Sequence, residues 1–356
     1  MHKILAINPG STSTKAAVFD DDVCIAQKTV SHSAEQLKEY KSILEQRQMR
    51  TGCVLDMLAE NSISMSELAA IVGRGGLVHP IDSGTYIVNT DMLGDLEKAS
   101  ALIHASALGG IIAYDLAKEH GLCAYVVDPI VVDEMEPRAR LTGIPRIERR
   151  SVFHALNTKA VARKAAKFLG SDYESSRFVV AHLGGGISVG AHRYGRVIDV
   201  NDTSSGEGPY TPERCGSVPI SGIIDMCFSG NYSKEDMMRF LVGSGGFIAY
   251  LGTNDMRAIE KMVRNGDEYA ALVMDSMAYQ VSKEIGAMVA ALEGRVDAIV
   301  LTGGLSYSGR FTGAIRQSVD QIAKVLVFPG EEEMKALAGG VLRVLTGREQ
   351  AKIYES

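Results

Sequence analysis

Several things are scarce or missing in this chain of 356 residues, and each absence excludes something. Its five cysteines (Cys24, Cys53, Cys123, Cys215, Cys227) are odd in number, far apart and without a C-x-x-C pair. That leaves no disulfide framework and no zinc site, and it fits a reducing compartment. No apolar run approaches the ~18 residues that a membrane helix needs. Residues 1–10 lead straight into a strand-like segment without the apolar region of a signal peptide, so a soluble cytoplasmic protein is expected, with no membrane partner. An excess of basic charge is also missing. The 37 Lys+Arg stand against 43 Asp+Glu, a net charge of −6, which argues against general nucleic-acid binding. There is no collagen period, no Pro-rich tract and no low-complexity linker. What the chain has in excess is glycine, 37 of 356 residues against a usual share of ~7%.

The remaining composition, 46% apolar and 22% charged, is that of a globular protein with enough chain for two cores. Short apolar strands alternate with helical segments, the α/β pattern. Residues 3–8, 16–19 and 23–30 read as strands, 34–48 and 54–58 as helical, and 67–72 leads into a strand ending at Arg74. A helix over 105–120 is stopped by Gly121, and 124–128 is a buried strand closed by Pro129. Residues 151–168 read as a helix, and 178–181, 188–193 and 196–200 as strands. The longest helix is expected over 267–293, a strand over 297–301 and a closing helix over 334–345. The apolar stretch 105–114 and Met274, Met277 and Met288 suit core packing, with an interface as the other use.

One internal comparison stands out. Aligned without gaps, residues 4–23 and 178–197 place Asn8 over His182, Gly10 over Gly184 and Ala17 over Ala191. Both segments read strand, polar N/H-x-G loop, strand, tight turn, strand, which suggests a duplicated domain offering two phosphate-facing hairpins.

The loops carry the chemistry. Gly10-Ser-Thr-Ser-Thr-Lys15 fails as a Walker A loop, since the second glycine is missing, Ala16 replaces the metal-binding hydroxyl and a strand follows. It is a hydroxyl-rich hairpin turn, with Ser11, Thr12 and Lys15 as donors. In His182-Leu-Gly-Gly-Gly-Ile-Ser188 three glycines lie between strands, where backbone N–H groups can approach phosphate closely. Gly303 and Gly304 follow a third strand. Together these loops suggest a nucleotide cleft between two lobes.

Ile4-Leu-Ala-Ile-Asn-Pro-Gly-Ser-Thr-Ser-Thr-Lys15 and Val179-Val-Ala-His-Leu-Gly-Gly-Gly-Ile-Ser188 resemble the two signatures of the acetate kinase family. Gly73-Arg-Gly-Gly76, Asp128-Pro-Ile-Val-Val-Asp-Glu-Met135 and Tyr210-Thr-Pro-Glu-Arg214 resemble most closely its butyrate kinase branch. The resemblance runs from residue 3 to about residue 346. It implies a duplicated actin/hexokinase-like (ribonuclease H-like) two-domain fold with the ATP cleft between the lobes. The lobes would be 1–145, completed by 335–356, and 146–334.

The implied reaction is carboxylate plus ATP giving acyl phosphate plus ADP. A carboxylate is already ionised at neutral pH, so the acceptor needs no general base. The enzyme must instead bring two anions together and neutralise the transferring phosphoryl group, a task suited to arginine. By resemblance Arg74 and Arg214 are the catalytic arginines, His154 donates to the phosphoryl oxygens and Asp128 acts beside Mg²⁺ or an arginine. Asn8 and Glu332 would be associated with Mg²⁺, with the register among Glu331, Glu332 and Glu333 open. His182, Gly184 and Gly185 would contact phosphate, with Gly303 and Gly304 against the nucleotide. Gly75 and Gly76, where acetate kinases carry bulkier residues, are expected to leave room for a C4 or branched chain beside Phe153 and Pro212. Butyrate or isobutyrate is therefore expected over acetate, with ATP formation the physiological direction and a homodimer or higher oligomer the state. Three alternatives stay open: an acetate or propionate kinase, a sugar kinase of the same superfamily, for which Asp128 would be the base, and a non-catalytic ATP-binding protein.

Overall fold

The runs Ile4-Leu-Ala-Ile7 and Val179-Val-Ala181 are buried on both faces, the behaviour of central strands covered by helices on each side. The computed structural model describes residues 1–102 and 105–355. Among these the strands are β1 (Lys3–Pro9), β2 (Ser13–Asp20), β3 (Val23–Ser31), β4 (Leu68–Gly73), β5 (Thr85–Ile87), β6 (Ala124–Val127), β7 (Arg177–Leu183), β8 (Ile187–Arg193), β9 (Arg196–Val200), β10 (Ala298–Gly303), β11 (Val325–Pro329) and β12 (Lys352–Ile353). They form two sheets, ordered β12-β5-β6-β4-β1-β2-β3 and β11-β10-β7-β8-β9.

The chain forms two compact units. The first comprises Met1–Val132 and Glu332–Ser356. Leu5, Ile7, Ala16 and Val18 pack on one face of its sheet with Val54, Met57, Leu108, Ile111 and Ile112 from helices Arg47–Glu60 and Ala107–His120. Helix Glu333–Leu345 also packs on β1, β4 and β6. The second unit, Asp133–Glu331, repeats the plan. Val179, Ala181 and Val189 pack under Met274, Met277 and Val281 of helix Glu268–Ala291, and Phe178, Val180 and Val300 under helix Ala155–Phe168. The apolar stretch 105–114 and Met274, Met277 and Met288 are thus core.

The duplication is visible in the topology, since β3-β2-β1-β4-β6 in one sheet is matched by β9-β8-β7-β10-β11 in the other, antiparallel in the hairpins and parallel beyond. The gapless alignment needs one correction. Asn8 pairs with Lys15, but His182 pairs with Ser188, because the second loop is one residue shorter. Ala17 therefore corresponds to Gly190 rather than Ala191. With that shift both hairpins carry a bulge at the same place, between Val18 and Phe19 and between Ala191 and His192. Both also turn on a left-handed residue, Asp21 (φ 53°) and Tyr194 (φ 51°).

Other expectations shift at their ends. The helix expected over 151–168 begins only at Ala155, so the four residues before it are free to shape a loop. Helices Ala34–Lys38 and Arg47–Glu60 replace the two expected over 34–58. The strands β5, β11 and β12 are short or carry no alternation, and the sequence does not announce them. Among the described residues no helix is long and apolar enough to cross a membrane.

Candidate functional site

In the first unit, β4 stops at Gly73 because the backbone of helix Ala107–His120 lies against it. A Cβ on Gly73 would fall 1.9 Å from the Gly109 carbonyl oxygen. Arg74 continues the ladder for one residue: its N–H donates to Ile7 O at 2.9 Å, and its carbonyl accepts from the Gly110 N–H at 3.1 Å. Its backbone is therefore tied to both β1 and the helix. Its guanidinium forms an ion pair with Glu333, and Asn8 Nδ2 donates to the other oxygen of the same carboxylate at 2.6 Å. Asn8 is the last side chain on the helix-covered face of β1, and Glu333 is the first residue of the helix that covers it. It is Glu333, not Glu332, that meets Asn8 and Arg74; Glu332 is the residue before the helix.

The 10–14 loop closes through Gly10 N–H to Ser13 O at 2.8 Å, leaving Ser11 and Thr12 exposed at its tip. Lys15 lies across from Asn8 on β2, and its ammonium makes no hydrogen bond or ion pair among the described residues. Asp128, buried just after β6, has a left-handed backbone (φ 39°). Its Oδ1 accepts from the Gly84 N–H at 2.8 Å and its own N–H donates to Gly84 O at 3.1 Å. Gly75 and Gly76 do not leave the room expected of them. A Cβ on Gly75 would lie 2.5 Å from Val126 Cγ1, and one on Gly76 2.5 Å from Ala107 Cβ. The protein's own packing requires these two glycines.

In the second unit, His182 ends the buried part of β7, and the loop Gly184-Gly-Gly186 closes through Gly184 N–H to Gly186 O at 3.1 Å. His182 Nδ1 lies 2.8 Å from Asn157 Oδ1, and Nε2 lies 3.1 Å from Glu331 Oε1. The His154 ring stacks on it, with centroids 3.8 Å apart and planes 10° apart, and its Nδ1 lies 3.0 Å from Ser188 Oγ. Two histidines, an amide, a hydroxyl and a carboxylate thus share one spot at the strand end. The sequence held a signal for part of this. Asn157 lies one helical turn beyond His154, and Ser188 is the hairpin partner of His182.

Arg214 lies across Gly186, where a Cβ would be 2.8 Å from its Nη1. Thr211 fixes the loop that carries it. Its Oγ1 donates to Gly185 O at 2.6 Å and accepts from the Arg214 N–H at 3.1 Å. The Arg214 Nη1 donates to Thr203 O, while its Nε is buried without a partner. Burial lowers the Arg214 pKa from its ordinary value, opposed by the charges of Glu213 and Asp202. Among the described residues no carboxylate is close enough to pair with it. A half-buried guanidinium with an idle donor is a built receptor for an anion. Phe153 and Pro212 are buried beside this machinery in the chain, and Gly303 (φ 89°) ends β10, where a Cβ would lie 2.4 Å from Leu183 O. Gly304, by contrast, faces open space.

Two sheets of one plan, each opening on a hairpin whose loop carries glycine, define a protein of the duplicated actin-type fold. The chain belongs to the acetokinase family, whose family model matches residues 133–352. Its fold is similar to that of Porphyromonas gingivalis acetate kinase (TM-score 0.81, 20% identity, 97% of this chain and 100% of that one). It is also similar to a propionate kinase from Francisella tularensis (TM-score 0.74, 20% identity, 95% and 99%). A ROK hexokinase from Thermus thermophilus shares the fold more distantly (TM-score 0.50, 15% identity, 96% and 98%). Family members are phosphotransferases with a carboxyl group as acceptor and ATP/ADP as the nucleotide pair, and this chain is such a kinase.

Proposed function

We propose that the enzyme transfers the γ-phosphoryl group of ATP directly to a short-chain carboxylate, with butyrate or isobutyrate preferred to acetate, and works toward ATP formation. The observation that supports the carboxylate reading is the guanidinium of Arg214, which has an idle buried donor and, among the described residues, no paired carboxylate. Arg214 offers an idle buried donor, and Arg74 is held at a strand end by its backbone. An ionised acceptor needs charge neutralisation and no proton acceptor, which is what these groups supply. A sugar kinase would need a carboxylate base, and Asp128 is already committed to the Gly84 N–H.

In this reading Arg74 and Arg214 balance charge on the acyl and phosphoryl oxygens, and His154 donates to the phosphoryl oxygens. The 10–14 loop with Lys15, and Gly184 and Gly185 with His182, hold phosphate through N–H, hydroxyl and ammonium groups. Gly303 and Gly304 take the nucleotide. Mg²⁺ fits the residues present: while Asn8 Nδ2 is engaged by Glu333, its Oδ1 remains a hard oxygen donor beside a carboxylate. Asn8 with Glu333 or Glu332 would hold the ion, which neutralises phosphate charge when bound. Among the described residues no cluster of three His, Cys, Asp or Glu forms a complete cage, so the nucleotide's phosphates would complete the coordination.

The preference for C4 acids rests on the butyrate-branch motifs, including the Tyr210-Thr-Pro-Glu-Arg214 loop, and not on space at Gly75 and Gly76. Methylene discrimination in such a pocket is limited to about 10–200-fold. ATP and ADP as reactants make the cytoplasm the location this reading requires, and the resemblance makes a homodimer the expected state. The test is a hydroxamate trap for acyl phosphate with ATP, Mg²⁺ and carboxylates from C2 to C5. The highest kcat/KM is expected for butyrate or isobutyrate. A higher value for acetate overturns the chain-length reading, and no trapped product from any acid overturns the acceptor.

A further inference from the structure

Against the 10–14 loop lies a side chain that no feature of the sequence singled out. Arg50, in helix Arg47–Glu60, is 0% exposed and heads the largest fully buried side chains. Its donors all go to neutral acceptors. Nε and Nη2 donate to Gln46 Oε1 at 3.1 and 2.9 Å. Nη1 donates to Ser13 O at 2.7 Å and Thr14 Oγ1 at 3.1 Å, and Nη2 to Ser11 O at 3.4 Å. Among the described residues no carboxylate pairs with it. His32, the residue after β3, secures the same loop, with Nε2 2.8 Å from Thr14 Oγ1 and its backbone N–H donating to Thr12 O at 2.8 Å.

A buried guanidinium without a counter-charge is costly, and an apolar side chain of similar length would avoid the cost. What Arg50 does instead is engage the carbonyls of Ser11 and Ser13, adding to the Gly10 N–H that already holds Ser13 O, and so fixes the backbone of the loop from beneath. Its planar fork reaches three acceptors of one loop at once, which lysine cannot do.

We propose that Arg50 is a positioning residue for phosphoryl transfer: it holds the 10–14 loop in its anion-accepting shape, and its uncompensated charge is balanced by the phosphates of the bound nucleotide. This rests on the kinase reading of that loop. The step it serves is the one already described, and Arg50 does not itself touch the reacting atoms.

The test uses full-length Arg50→Met, Arg50→Lys and Gln46→Ala, each checked for folding by circular dichroism. Acyl phosphate formation is measured with ATP, Mg²⁺ and butyrate, and MgATP binding is measured separately by calorimetry. Folded Arg50→Met is expected to lose about 10- to 100-fold in kcat/KM for ATP, with the butyrate KM within about twofold of wild type. Arg50→Lys should recover part of the loss, and MgATP affinity should fall in the same order. A folded Arg50→Met with unchanged ATP kinetics and affinity overturns the proposal. If neither Arg50 variant folds, Gln46→Ala decides, since it keeps the charge and removes the oxygen that orients the fork. A drop of about threefold or more in kcat/KM for ATP supports the proposal and unchanged kinetics overturn it. Should wild type form no acyl phosphate, the acceptor reading fails, and MgATP binding by the variants still decides the role of Arg50.

Discussion

Arg214 shows how much of a residue's role lies in its surroundings. Its place in Thr211-Pro-Glu-Arg214 was legible, but its idle buried Nε and its seat over Gly186 were not. Arg214→Ala is expected to lower kcat by about 10²–10³, the usual effect of removing a donor from a developing charge. Arg214→Lys should restore little, because an ammonium cannot reproduce the fork. Steady-state kinetics on both variants check this, and an unchanged kcat would remove Arg214 from the mechanism. The glutamate triplet shows the opposite limit. One residue along a helix is about 100° of rotation, so a motif can place a carboxylate at the helix start without saying which one faces Asn8. Packing selects Glu333. The close packing at Gly75 and Gly76 has no local signal, because Val126 and Ala107, which take the space beside them, are distant in sequence.

At the scale of elements, the hairpins were readable because their apolar runs and turns are local. The one-residue offset between them was not, since loop length is settled by the closure each loop makes: Gly10 to Ser13 in one, Gly184 to Gly186 in the other. The chain end illustrates an element that no local signal announces. β12 adds to β5 in parallel, and Tyr354, 1% exposed, accepts from the His79 N–H at 3.0 Å and donates to Asp95 Oδ2 at 2.7 Å. Burial and the Asp95 carboxylate push its pKa to about 12, so it stays a donor at every ordinary pH. Asn89 Nδ2 donates to Tyr354 O at 2.7 Å, and Lys352 Nζ to Ser83 O at 2.7 Å. This strap fixes the segment that carries Gly84, the partner of Asp128. Tyr354→Phe removes the hydroxyl that bridges the His79 N–H and the Asp95 carboxylate, which keeps Lys98 as a partner, and is expected to cost about 1 kcal/mol. A shift in the urea midpoint measures it; an unshifted midpoint would show that the strap carries no stability.

For the whole molecule, an acid-side loss of stability follows from one buried group. His192 is fully buried, with Nδ1 2.8 Å from the Tyr173 hydroxyl and Nε2 without a partner. Burial, and then the charges of Lys159 and Arg163, hold its pKa well below the ordinary histidine value. It is neutral in the fold, whereas the unfolded chain takes up a proton below about pH 6.5. The unfolded state therefore binds more protons in that range, and stability rises with pH up to about 6.5 and then levels. Urea unfolding of the second unit between pH 5 and 7.5 should show a slope of up to about 1.4 kcal/mol per pH unit from this residue. His192→Gln should flatten it, whatever its effect on absolute stability, and an unaltered slope would assign the dependence elsewhere.

The sequence by itself determined the alternation of strands and helices, the duplicated hairpin and the glycine loops, because these depend on side-chain period and turn chemistry over a few residues. It also determined the family, through motifs that local chemistry constrains. Tertiary structure alone decided which carboxylate meets Arg74, why Gly75 and Gly76 are glycine, and that Arg50 is buried against the 10–14 loop. Each of these depends on atoms brought together from distant parts of the chain, at distances where a few tenths of an ångström separate contact from collision. The excess of glycine thus has two uses in the fold. Some, such as Gly10 and Gly184, close tight loops between strands, and others, such as Gly73 and Gly76, let two elements of the chain touch.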